Sequence, residues 1–392
     1  MNTDIVIQLK NSIKNATKST FYRNKLRDYT ELNSLEDFYK LPLTSTKELI
    51  ENNNSFLTCS QREIEKIVTI NTSGTTKRTK RIFFSKEELN STVMFFMQGL
   101  STIINTGDYT LVMMPCKPQN SVGDLICKAV NNIGATPFDV GFLKDFDETV
   151  ELLKKSNSIV GTPMQILALA RYCTFKNIKI KLRGILLSAD YGSEAVYDEI
   201  AKVFDCLVID HYGTTEMCFG GAVECSSNKG MHIREKDLFF EIVDKDSKQP
   251  LKIGEYGEIV VTTLTRTLMP LIRYQTGDYG RILPFSCDCN NKGLMLDKIQ
   301  GRIENIFLDN SMVNCYRLDE YLFSIKMVID YKMIINDNDV KIDIYSLSDD
   351  IDKEQIKNEL QHNFFNCCSV SLNIIVTQVW PNLYYGKRVV YG

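Results

Sequence analysis

The sequence predicts an α/β fold, with a large N-terminal domain of parallel α/β sheets and an antiparallel β-subdomain, plus a small α+β C-terminal domain. Three observations lead to this prediction. From residue 67 onward, short β-branched apolar runs alternate with helix-like stretches, which is typical of βαβ units. From residue 238 the apolar runs follow one another with turns between them. After residue 301 a smaller pattern of helices and strands begins.

Composition favours an ordinary globular protein. The chain has 392 residues, 44% of them hydrophobic, and 46 Lys and Arg against 49 Asp and Glu give a net charge of −3. We therefore expect no nucleic-acid partner and no membrane partner. No run of about eighteen apolar residues occurs, and the first residues lack the apolar core of a secretory signal. Twelve cysteines without such a signal indicate reduced thiols in the cytoplasm.

The elements of the large domain are predicted in chain order. Residues 1–66 are interpreted as polar helices with breaks at Pro42 and at residues 52–54. The runs that follow are predicted strands: IVTI, YTLVMMP, ATPFDVG, SIVGTP, GILLSAD and CLVIDHYG. Amphipathic segments between them are predicted helices: 86–104, 121–133, 163–175 and 193–203.

The remaining elements complete both domains. The runs LFFEIVD, GEIVVTTL and LIRYQTGD predict the antiparallel β-subdomain. The small domain is predicted to contain a helix, a hairpin, a second helix and a strand: 316–325, 328–346, 352–365 and 370–377. We place the boundary near Gly301, so that residues 1–301 form the large domain and residues 302–392 the small one.

A hydroxyl-rich loop, TSGTTKRTK, follows the first predicted strand. Hydroxyl and backbone N–H groups grouped in this way can bind several phosphate oxygens, and Gly74 allows the backbone to approach closely. The spacing is not that of a P-loop, which needs Gly-Lys-Ser/Thr after four intervening residues. From these residues alone, two interpretations stay open: a cradle for phosphates and a solvated basic loop.

Five segments together resemble the motifs of adenylate-forming enzymes, the acyl-CoA synthetases and their relatives. The loop is similar to their TSGTTGxPK signature, HYGTTE to their Tyr-Gly-x-Thr-Glu motif, and YQTGD to their Tyr-Arg-Thr-Gly-Asp motif. GRIEN resembles their interdomain hinge, and YYGKRVV their C-terminal Gly-Lys motif. All five occur in the family's order between residues 69 and 390. The compact length, GTPMQILALAR and LLSADYGSE resemble the phenylacetate–CoA ligase branch most closely.

The resemblance implies a site for ATP. The loop residues would hold the β- and γ-phosphates: Thr72, Ser73, Gly74, Thr75 and Thr76. Lys80 would neutralise charge on the leaving pyrophosphate. Tyr212, followed by Gly213, would stack on adenine. Backbone groups of three further residues would line the same pocket: Ala189, Asp190 and Tyr191.

The other motifs imply contacts to the α-phosphate, the metal and the ribose. Thr215 would contact the α-phosphate and Glu216 would hold Mg²⁺. Asp278 would accept hydrogen bonds from the two ribose hydroxyls. Arg302 would reach the ribose from the hinge. Glu304 stands where many relatives carry Asp, and it would act as a pivot.

The C-terminal motif implies a catalytic lysine. Lys387 would reach the carboxylate and the α-phosphate during acyl-adenylate formation, stabilising charge on the phosphorus and orienting the attacking group. The chain departs from the family pattern in the loop, where Lys77 and Thr79 replace the usual Gly and Pro. The mobility of the loop and its affinity for pyrophosphate are therefore in question.

Each segment also has a plainer interpretation from its residues alone. HYG is a turn at the end of a buried strand, and TGD is a simple turn. A glutamate at a strand end, such as Glu216, is ordinarily solvated, and Lys387 could belong to a frayed basic tail. The place of each residue in the ordered motifs favours the functional interpretation.

Four Cys and His residues suggest a second metal site. Cys225, His232, Cys287 and Cys289 supply three thiolates and one imidazole, a common tetrahedral zinc set. Their spacing is not that of a zinc finger, so spacing alone leaves the metal open. Members of the phenylacetate–CoA ligase branch carry a similar arrangement, and the resemblance implies a structural zinc that does not touch ATP.

The expected function is ATP-dependent activation of a small aryl or acyl carboxylic acid to acyl-AMP, then transfer to the thiol of coenzyme A. ATP, Mg²⁺, coenzyme A and structural Zn²⁺ are the expected cofactors and co-substrates. Two alternatives stay open: transfer to a carrier-protein phosphopantetheine or an amine, and a catalytically inactive nucleotide-binding relative. The acid is not readable from the sequence, and the frequency of dimers in this branch leaves a homodimer open.

Overall fold

The computed structural model describes residues 2–29, 32–71, 79–289, 291–303, 315–336, 339–348, 350–365 and 371–378. The chain divides into two compact units. The first unit combines Met1–Gly99 with His211–Ile299, and the second combines Leu100–Asp210 with Gln300–Gly392. The predicted α/β class is confirmed, whereas the predicted boundary near Gly301 stays a prediction about domain movement.

The first unit begins with helices and an antiparallel strand pair: α1 (Asn2–Ala16), α2 (Thr20–Lys25), α3 (Leu35–Tyr39), α4 (Thr46–Asn52), β1 (Lys66–Asn71), β2 (Thr79–Phe84) and α5 (Lys86–Leu100). The short helices start where serine side chains cap them. Ser34 and Ser45 each accept a backbone N–H three residues on, and the acidic residues Asp37 and Glu48 bond back to the caps. The capping residues therefore fix helix starts in a polar sequence.

The second unit contains a parallel sheet with helices between its strands: β3 (Tyr109–Met113), α6 (Val122–Ile133), β4 (Thr136–Asp139), α7 (Phe146–Leu153), β5 (Ser158–Gly161), α8 (Pro163–Phe175), β6 (Gly184–Leu187), α9 (Glu194–Phe204) and β7 (Leu207–Tyr212). The strand order is β7-β6-β5-β3-β4, with every pair parallel. Strands β5 and β6 are buried along their whole length, as expected for strands covered on both faces.

Local sequence signals explain several helix limits in this sheet. Pro163 occupies the first turn of α8, where its missing N–H costs no hydrogen bond. Helix α6 ends at Gly134, which adopts a left-handed conformation with φ +89°. The predicted helix 163–175 is confirmed at both ends, and the predicted 86–104 helix ends earlier, at Leu100.

The chain re-enters the first unit through β7 and then forms antiparallel strands: β8 (Ala222–Glu224), β9 (Met231–Ile233), β10 (Leu238–Val243), β11 (Gly257–Thr263), β12 (Tyr274–Gly280) and β13 (Met295–Leu296). β8 pairs with the end of β7, β9 with β8, and β13 with β9. A separate antiparallel sheet has the order β10-β11-β12. The predicted antiparallel β-subdomain is confirmed.

The C-terminal segment belongs to the second unit and contains α10 (Cys315–Ser324), β14 (Val328–Asn336), β15 (Asp339–Ser346), α11 (Lys353–Asn363) and β16 (Ser371–Gln378). β14 and β15 are antiparallel, and β16 adds to β15 in parallel. The predicted helix, hairpin, helix and strand are confirmed to within a few residues. Asp352 caps α11 by accepting the backbone N–H of Gln355 at 3.0 Å.

Arg171 in α8 connects the two sequence-distant parts of the second unit. Its side chain is 1% exposed and forms a bidentate ion pair with Glu199 in α9. The guanidinium also donates to the backbone oxygens of Phe323, Ile325 and Val328. One buried apolar cluster contains side chains from both parts, among them Leu167, Ile185, Leu322, Phe323 and Ile342. The C-terminal segment is thus packed into the core of the second unit.

Within the described residues, helix length and hydropathy nowhere combine to give a segment able to cross a membrane.

Candidate active site

Lys80 and Glu216, both predicted to serve ATP, form an ion pair in the first unit. Lys80 lies in β2, opposite Ile70 of β1. Glu216 lies in a short turn, Thr215–Met217, that follows β7 and its two next residues. Both side chains are largely buried, with 14% and 5% of their surface exposed. The structure therefore brings together the residues predicted for the pyrophosphate and for Mg²⁺.

Glu216 is a buried carboxylate that stays ionised. Burial alone would raise its pKa, but Lys80 opposes this with its charge and hydrogen bond, and the pKa is lowered to about 2. The hydroxyl of Tyr274 also donates to Glu216 Oε1, at 2.9 Å. A full negative charge is thus present at neutral pH in a site largely removed from solvent.

Arg266 holds the backbone of Glu216 through a hydrogen bond. Arg266 Nη1 donates to the Glu216 carbonyl oxygen at 3.0 Å, and Nε lies 3.5 Å from Glu88 Oε2. The guanidinium also lies over the Phe84 ring, 5.1 Å from its centre. Arg266 is 4% exposed, so the contacts are well shielded. The turn that holds Thr215 and Glu216 is therefore held in a defined position.

Tyr212 and Asp278, predicted for adenine and ribose, also meet within the first unit. Tyr212 ends β7, Asp278 lies in β12, and the Tyr212 hydroxyl donates to Asp278 Oδ2 at 2.7 Å. The backbone N–H of Asp278 donates to Thr276 Oγ1 at 3.0 Å, which fixes the strand locally. The carboxylate is thus oriented by a phenol from the neighbouring motif.

Gly213, which follows Tyr212, has no room for a side chain. A Cβ atom there would lie 2.3 Å from the Phe219 carbonyl oxygen, well inside any real contact. The segment after the turn folds back closely, with Cys218 and Phe219 both at positive φ. Glycine is therefore required at this point of the motif for a steric reason that the structure makes explicit.

Aromatic side chains surround the residue before Tyr212. The His211 ring packs against Phe95 and Phe96 of α5, with centroids 5.8 and 5.4 Å apart. Burial lowers the His211 pKa to about 4, so the ring is neutral at physiological pH. Phe219 stacks on Phe84 at 5.2 Å. His211 and Phe219 thus have aromatic neighbours, and the guanidinium of Arg234 lies over the Phe95 ring, 5.1 Å from its centre.

The other described residues that were predicted to bind the nucleotide, Ala189, Asp190, Tyr191 and Arg302, belong to the second unit. Ala189 follows β6 at φ +71°, an uncommon conformation for a residue with a side chain. The backbone N–H of Tyr191 donates to Asp190 Oδ1 at 3.0 Å. A Cβ at Gly301 would lie 3.7 Å from the Tyr191 ring. Tyr191 therefore lies beside the residue that precedes the exposed Arg302.

Several predicted residues lie outside the described part of the chain. They are the loop residues Thr72, Ser73, Gly74, Thr75, Thr76 and Lys77, together with Glu304 and Lys387. Their assigned roles stay predictions.

The four predicted zinc ligands converge in the first unit. Cys225 follows β8, His232 lies in β9, and Cys287 and Cys289 lie in the loop before β13. The possible ligand atoms all lie within 4.8 Å of one another. Cys225 Sγ is 3.6 Å from Cys287 Sγ, and Cys289 Sγ is 3.2 Å from His232 Nε2. Tetrahedral ligands about 2.3 Å from zinc would be separated by about 3.7 Å, so the set fits.

One cysteine of the set, Cys287, is also prepared for thiolate formation. Backbone N–H groups point at the sulfurs: Cys289 N lies 3.5 Å from Cys287 Sγ, and Ser227 N lies 3.4 Å from Cys225 Sγ. The bond from the Cys289 N–H lowers the pKa of Cys287 to about 6. The backbone N–H of Asn291 lowers the pKa of Cys289, but burial and the neighbouring thiols of Cys287 and Cys225 outweigh it, so that this pKa is raised. The deprotonated sulfur that a metal needs is thus favoured at Cys287 before any ion binds.

Sequence reasoning did not identify two residues at this site. Tyr274 opens the YQTGD motif, but no role was predicted for it. Thr46 contacts the Tyr274 hydroxyl through its own Oγ1 at 2.8 Å. It lies 228 residues away in sequence, at the start of α4, and no motif marks it. Only the folded structure shows that Thr46 lies beside Tyr274.

Comparison with known proteins places the sequence in a family. A sequence model of the family described as "AMP-binding enzyme" matches residues 9–269. The phenylacetate-coenzyme A ligase of Thermus thermophilus is 30% identical over 161 residues, which is 40% of this chain and 36% of that ligase. The matched stretch thus spans about a third of that relative's length. The phenylacetate-coenzyme A ligase of Aromatoleum evansii is 24% identical over 95% of this chain and 89% of its own length.

Solved structures agree on the fold. The crystal structure of a 2-hydroxyisobutyryl-CoA ligase in the postadenylation state, bound to R3-HIB-AMP, superposes with a TM-score of 0.83. It is 18% identical and covers 100% of this chain and 89% of the ligase. Since the family match extends over most of the chain, the chain belongs to the AMP-binding enzyme family.

Proposed function

We propose that this protein activates a carboxylic acid with ATP to form acyl-AMP and then transfers the acyl group to the thiol of coenzyme A. The observation that carries the proposal is the assembly, within the first unit, of Lys80 with Glu216 and of Tyr212 with Asp278. These residues come from three separated motifs predicted to bind one nucleotide. Membership of the AMP-binding enzyme family and the names of the relatives support the same chemistry.

In the first half-reaction, the acid's carboxylate attacks the α-phosphorus of ATP and pyrophosphate leaves. Lys80 compensates charge on the departing phosphates, and Thr215 contacts the α-phosphate. Asp278, oriented by Tyr212, holds the ribose hydroxyls. Lys387 orients the carboxylate and stabilises charge on the phosphorus. The product is a mixed anhydride, a far better acyl donor than the carboxylate.

Magnesium is part of this proposal. The ionised, buried Glu216 carboxylate is the kind of hard oxygen ligand that Mg²⁺ prefers, and Tyr274 can orient it without adding charge. When bound, the ion would neutralise phosphate charge and help to hold the nucleotide. The residues present therefore fit the metal that the family resemblance implies.

In the second half-reaction, a thiol attacks the acyl carbon of acyl-AMP and AMP leaves. We propose that residues 302–392 move about Arg302 and Glu304, withdrawing Lys387 and admitting the thiol. This movement would have to break the hydrogen bonds from Arg171 to the backbone of the C-terminal segment. Coenzyme A is the proposed acceptor because the relatives are named as coenzyme A ligases. A carrier-protein phosphopantetheine or an amine is the alternative acceptor.

For the acid, we propose a small aryl or acyl substrate. Phe219, which follows the Glu216 turn and stacks on Phe84 at 5.2 Å, supports a small or flat aromatic acid. The relatives named for phenylacetate point in the same direction.

A structural zinc at Cys225, His232, Cys287 and Cys289 is the second part of the proposal. Four protein ligands leave no position for a substrate, so the ion would tie β8, β9 and the loop before β13 together. The twelve cysteines, together with this thiolate set, also support a reducing cytoplasmic location.

The proposal is tested by ATP–pyrophosphate exchange across a panel of aryl and short acyl carboxylic acids. We expect exchange with at least one acid and CoA-dependent release of AMP without any carrier protein. In Lys387→Ala, exchange should fall by about a hundredfold or more. Thiolysis of supplied acyl-AMP should persist in the same variant.

The outcomes separate the alternatives. Exchange without CoA-dependent AMP release would favour a carrier protein or an amine as the acceptor. If no acid supports exchange while ATP still binds, the chain is a nucleotide-binding relative without catalysis. Full exchange activity in Lys387→Ala would contradict the role given to that lysine.

A further inference from the structure

A chain of hydrogen bonds ends at the Glu216 carboxylate. Thr46 Oγ1 lies 2.8 Å from the Tyr274 hydroxyl, and that hydroxyl donates to Glu216 Oε1 at 2.9 Å. The same Oε1 atom accepts the Lys80 ammonium. Tyr274 is 2% exposed and Glu216 is 4% exposed. One carboxylate oxygen therefore has a charged partner and a neutral partner, both in a shielded site.

The backbone holds Thr46 and Tyr274 in fixed relation. The Thr44 N–H donates to the Arg273 carbonyl at 2.8 Å, and Gln275 N–H donates to the Thr44 carbonyl at 2.9 Å. These two bonds lie on either side of Tyr274 and form a parallel bridge. The segment that carries Thr46 thus runs beside the start of β12.

Arg273 fastens the same two segments from the core. Its guanidinium forms a buried ion pair with Glu241 and donates to the carbonyl oxygens of Tyr39 and Leu41. Arg273 is 2% exposed and lies at φ +47°, so the surrounding contacts determine its conformation. These contacts hold the backbone next to Tyr274 in place, and the buried Tyr274 ring therefore presents its hydroxyl at a defined position.

The two partners of Glu216 differ in what a nucleotide would do to them. Lys80 is a flexible cation, and the phosphates of ATP would compete with Glu216 for its ammonium. Tyr274 is neutral and anchored, so phosphates have no comparable attraction for it. If Glu216 kept Lys80 as its partner, the ammonium would compensate the carboxylate charge, and the carboxylate would bind a divalent cation weakly. A carboxylate that kept Tyr274 would retain its charge and its orientation.

We propose that Tyr274, oriented by Thr46, is a positioning residue that holds Glu216 in place for a nucleotide-bound divalent cation once Lys80 has moved to the phosphates. This inference rests on the proposed function for the identity of the nucleotide. It adds two positioning residues to that site, one of them from the N-terminal part of the chain, outside the five motifs.

The test measures binding of Mn²⁺ in the presence of saturating ATP by electron paramagnetic resonance, with no acid present. Tyr274→Phe should weaken Mn²⁺ binding about tenfold, because one hydrogen bond to a charged group is lost. Thr46→Val, which keeps the shape and removes the hydroxyl, should weaken it about threefold. Binding of ATP in the presence of a chelator should change by less than about twofold in both variants.

Two controls distinguish positioning from a structural effect. Tyr279→Phe removes a hydroxyl from the same strand, at 3.5 Å from the Tyr256 carbonyl, and should leave Mn²⁺ binding as in the wild type. Thr46→Ser restores the hydroxyl and should restore affinity. The double variant Tyr274→Phe/Thr46→Val should bind Mn²⁺ no more weakly than Tyr274→Phe, because Thr46 acts through Tyr274.

The inference is overturned if Mn²⁺ affinity is unchanged in Tyr274→Phe, or if the losses in the two single variants add in the double variant. A parallel loss of metal-free ATP binding would likewise reject it. If Tyr274→Phe does not fold, Thr46→Val and Thr46→Ser carry the test.

The result is separate from that of the proposed function. Exchange that is silent with every acid, alongside weakened Mn²⁺ binding in Tyr274→Phe, would reject the activity and keep the positioning role. Normal exchange in the wild type, alongside unchanged Mn²⁺ affinity in Tyr274→Phe, would support the activity and reject the positioning role.

Discussion

At the scale of single residues, the most consequential group is the buried charge of Glu216. A carboxylate removed from water is destabilised unless a partner compensates it. Here Lys80 overcomes the cost of burial, and the pKa falls to about 2 instead of rising. The pair is therefore a source of stability as well as a part of the proposed site, and the two contributions can be measured separately.

The stability contribution of Glu216 should depend on pH. Because the folded-state pKa lies below the ordinary value of 4.5, the contribution is fully present above about pH 5 and is lost as the pH falls toward about 2. The shift corresponds to about 3 kcal/mol. We expect Glu216→Gln to unfold at a lower temperature than the wild type at pH 7, with the gap narrowing between pH 5 and pH 3.5.

Thermal unfolding of both proteins across this pH range checks the prediction. Glu36→Gln, which changes an exposed glutamate of the same unit, is the matched control. A gap between wild type and Glu216→Gln that stays constant from pH 7 to pH 3.5 would contradict the argument.

The residues of the site were predictable to different degrees. Glu216, Asp278 and Tyr212 lie in short motifs whose order along the chain is itself informative. Their pairing with Lys80 or with one another is not readable from sequence, because it depends on how β2, β7 and β12 are arranged. Thr46 could not be found at all, since it lies near Tyr274 only through the bridge between Thr44 and β12.

At the scale of elements, local signals predicted most helices and strands of the described residues. Helix α8 was predicted to the residue because Pro163 marks its start and an apolar pattern continues to Phe175. The end of α5 at Leu100 was missed, since the apolar residues Ile103 and Ile104 continue the pattern beyond the helix. Both are buried although they follow the helix, so burial and helicity need not end together.

The cysteine cluster joins short elements, and the zinc proposed for it should be measurable. We expect the purified protein to contain about one zinc per chain, and a chelator to lower the unfolding temperature by roughly 5 °C or more. Cys225→Ser/Cys287→Ser should abolish zinc binding, because two of four ligands are lost. Pyrophosphate exchange should persist below the unfolding temperature.

The control for this experiment lies in the second unit. Cys116 and Cys127 have sulfurs 3.7 Å apart, nearly the separation of Cys225 and Cys287. Cys116→Ser/Cys127→Ser should leave the zinc content unchanged. Loss of zinc in this control, or zinc retained in Cys225→Ser/Cys287→Ser, would show that the cluster has been assigned wrongly.

At the scale of the whole molecule, the least predictable feature is that sequence-distant segments form one unit. The sequence predicted a boundary near Gly301, where the pattern of predicted strands and helices changes. Nothing in the pattern of α10 or β14 indicates that their apolar side chains join those of α8 and the parallel sheet. Arg171 lies inside the predicted helix 163–175 and was given no role, although it is among the most buried side chains of the described residues.

Replacing Arg171 should loosen the C-terminal segment selectively. Arg171→Met leaves the Glu199 carboxylate and backbone oxygens of Phe323, Ile325 and Val328 without their donor. We expect the free energy of unfolding to fall by about 2–4 kcal/mol. The fall should be smaller than for a fully buried ion pair, because Glu199 is 32% exposed. Hydrogen exchange should accelerate in β14 and β15 and stay unchanged in β10 and β11.

A matched surface pair serves as the control. Lys181 and Asp205, also in the second unit, are 76% and 74% exposed, and such pairs contribute little to stability. Lys181→Met should therefore leave hydrogen exchange as in the wild type. Equal acceleration in β10 and β14 of Arg171→Met would indicate general destabilisation and not local release.

The division of the chain into two interleaved units also constrains its biosynthesis. The polypeptide passes from one unit to the other at residues 99–100, 210–211 and 299–300. A ribosome that has finished residue 210 has made the parallel sheet of the second unit but not the strands and helices that complete its core. That sheet must wait, with apolar surface uncovered, until the segment from α10 to β16 has also been synthesised.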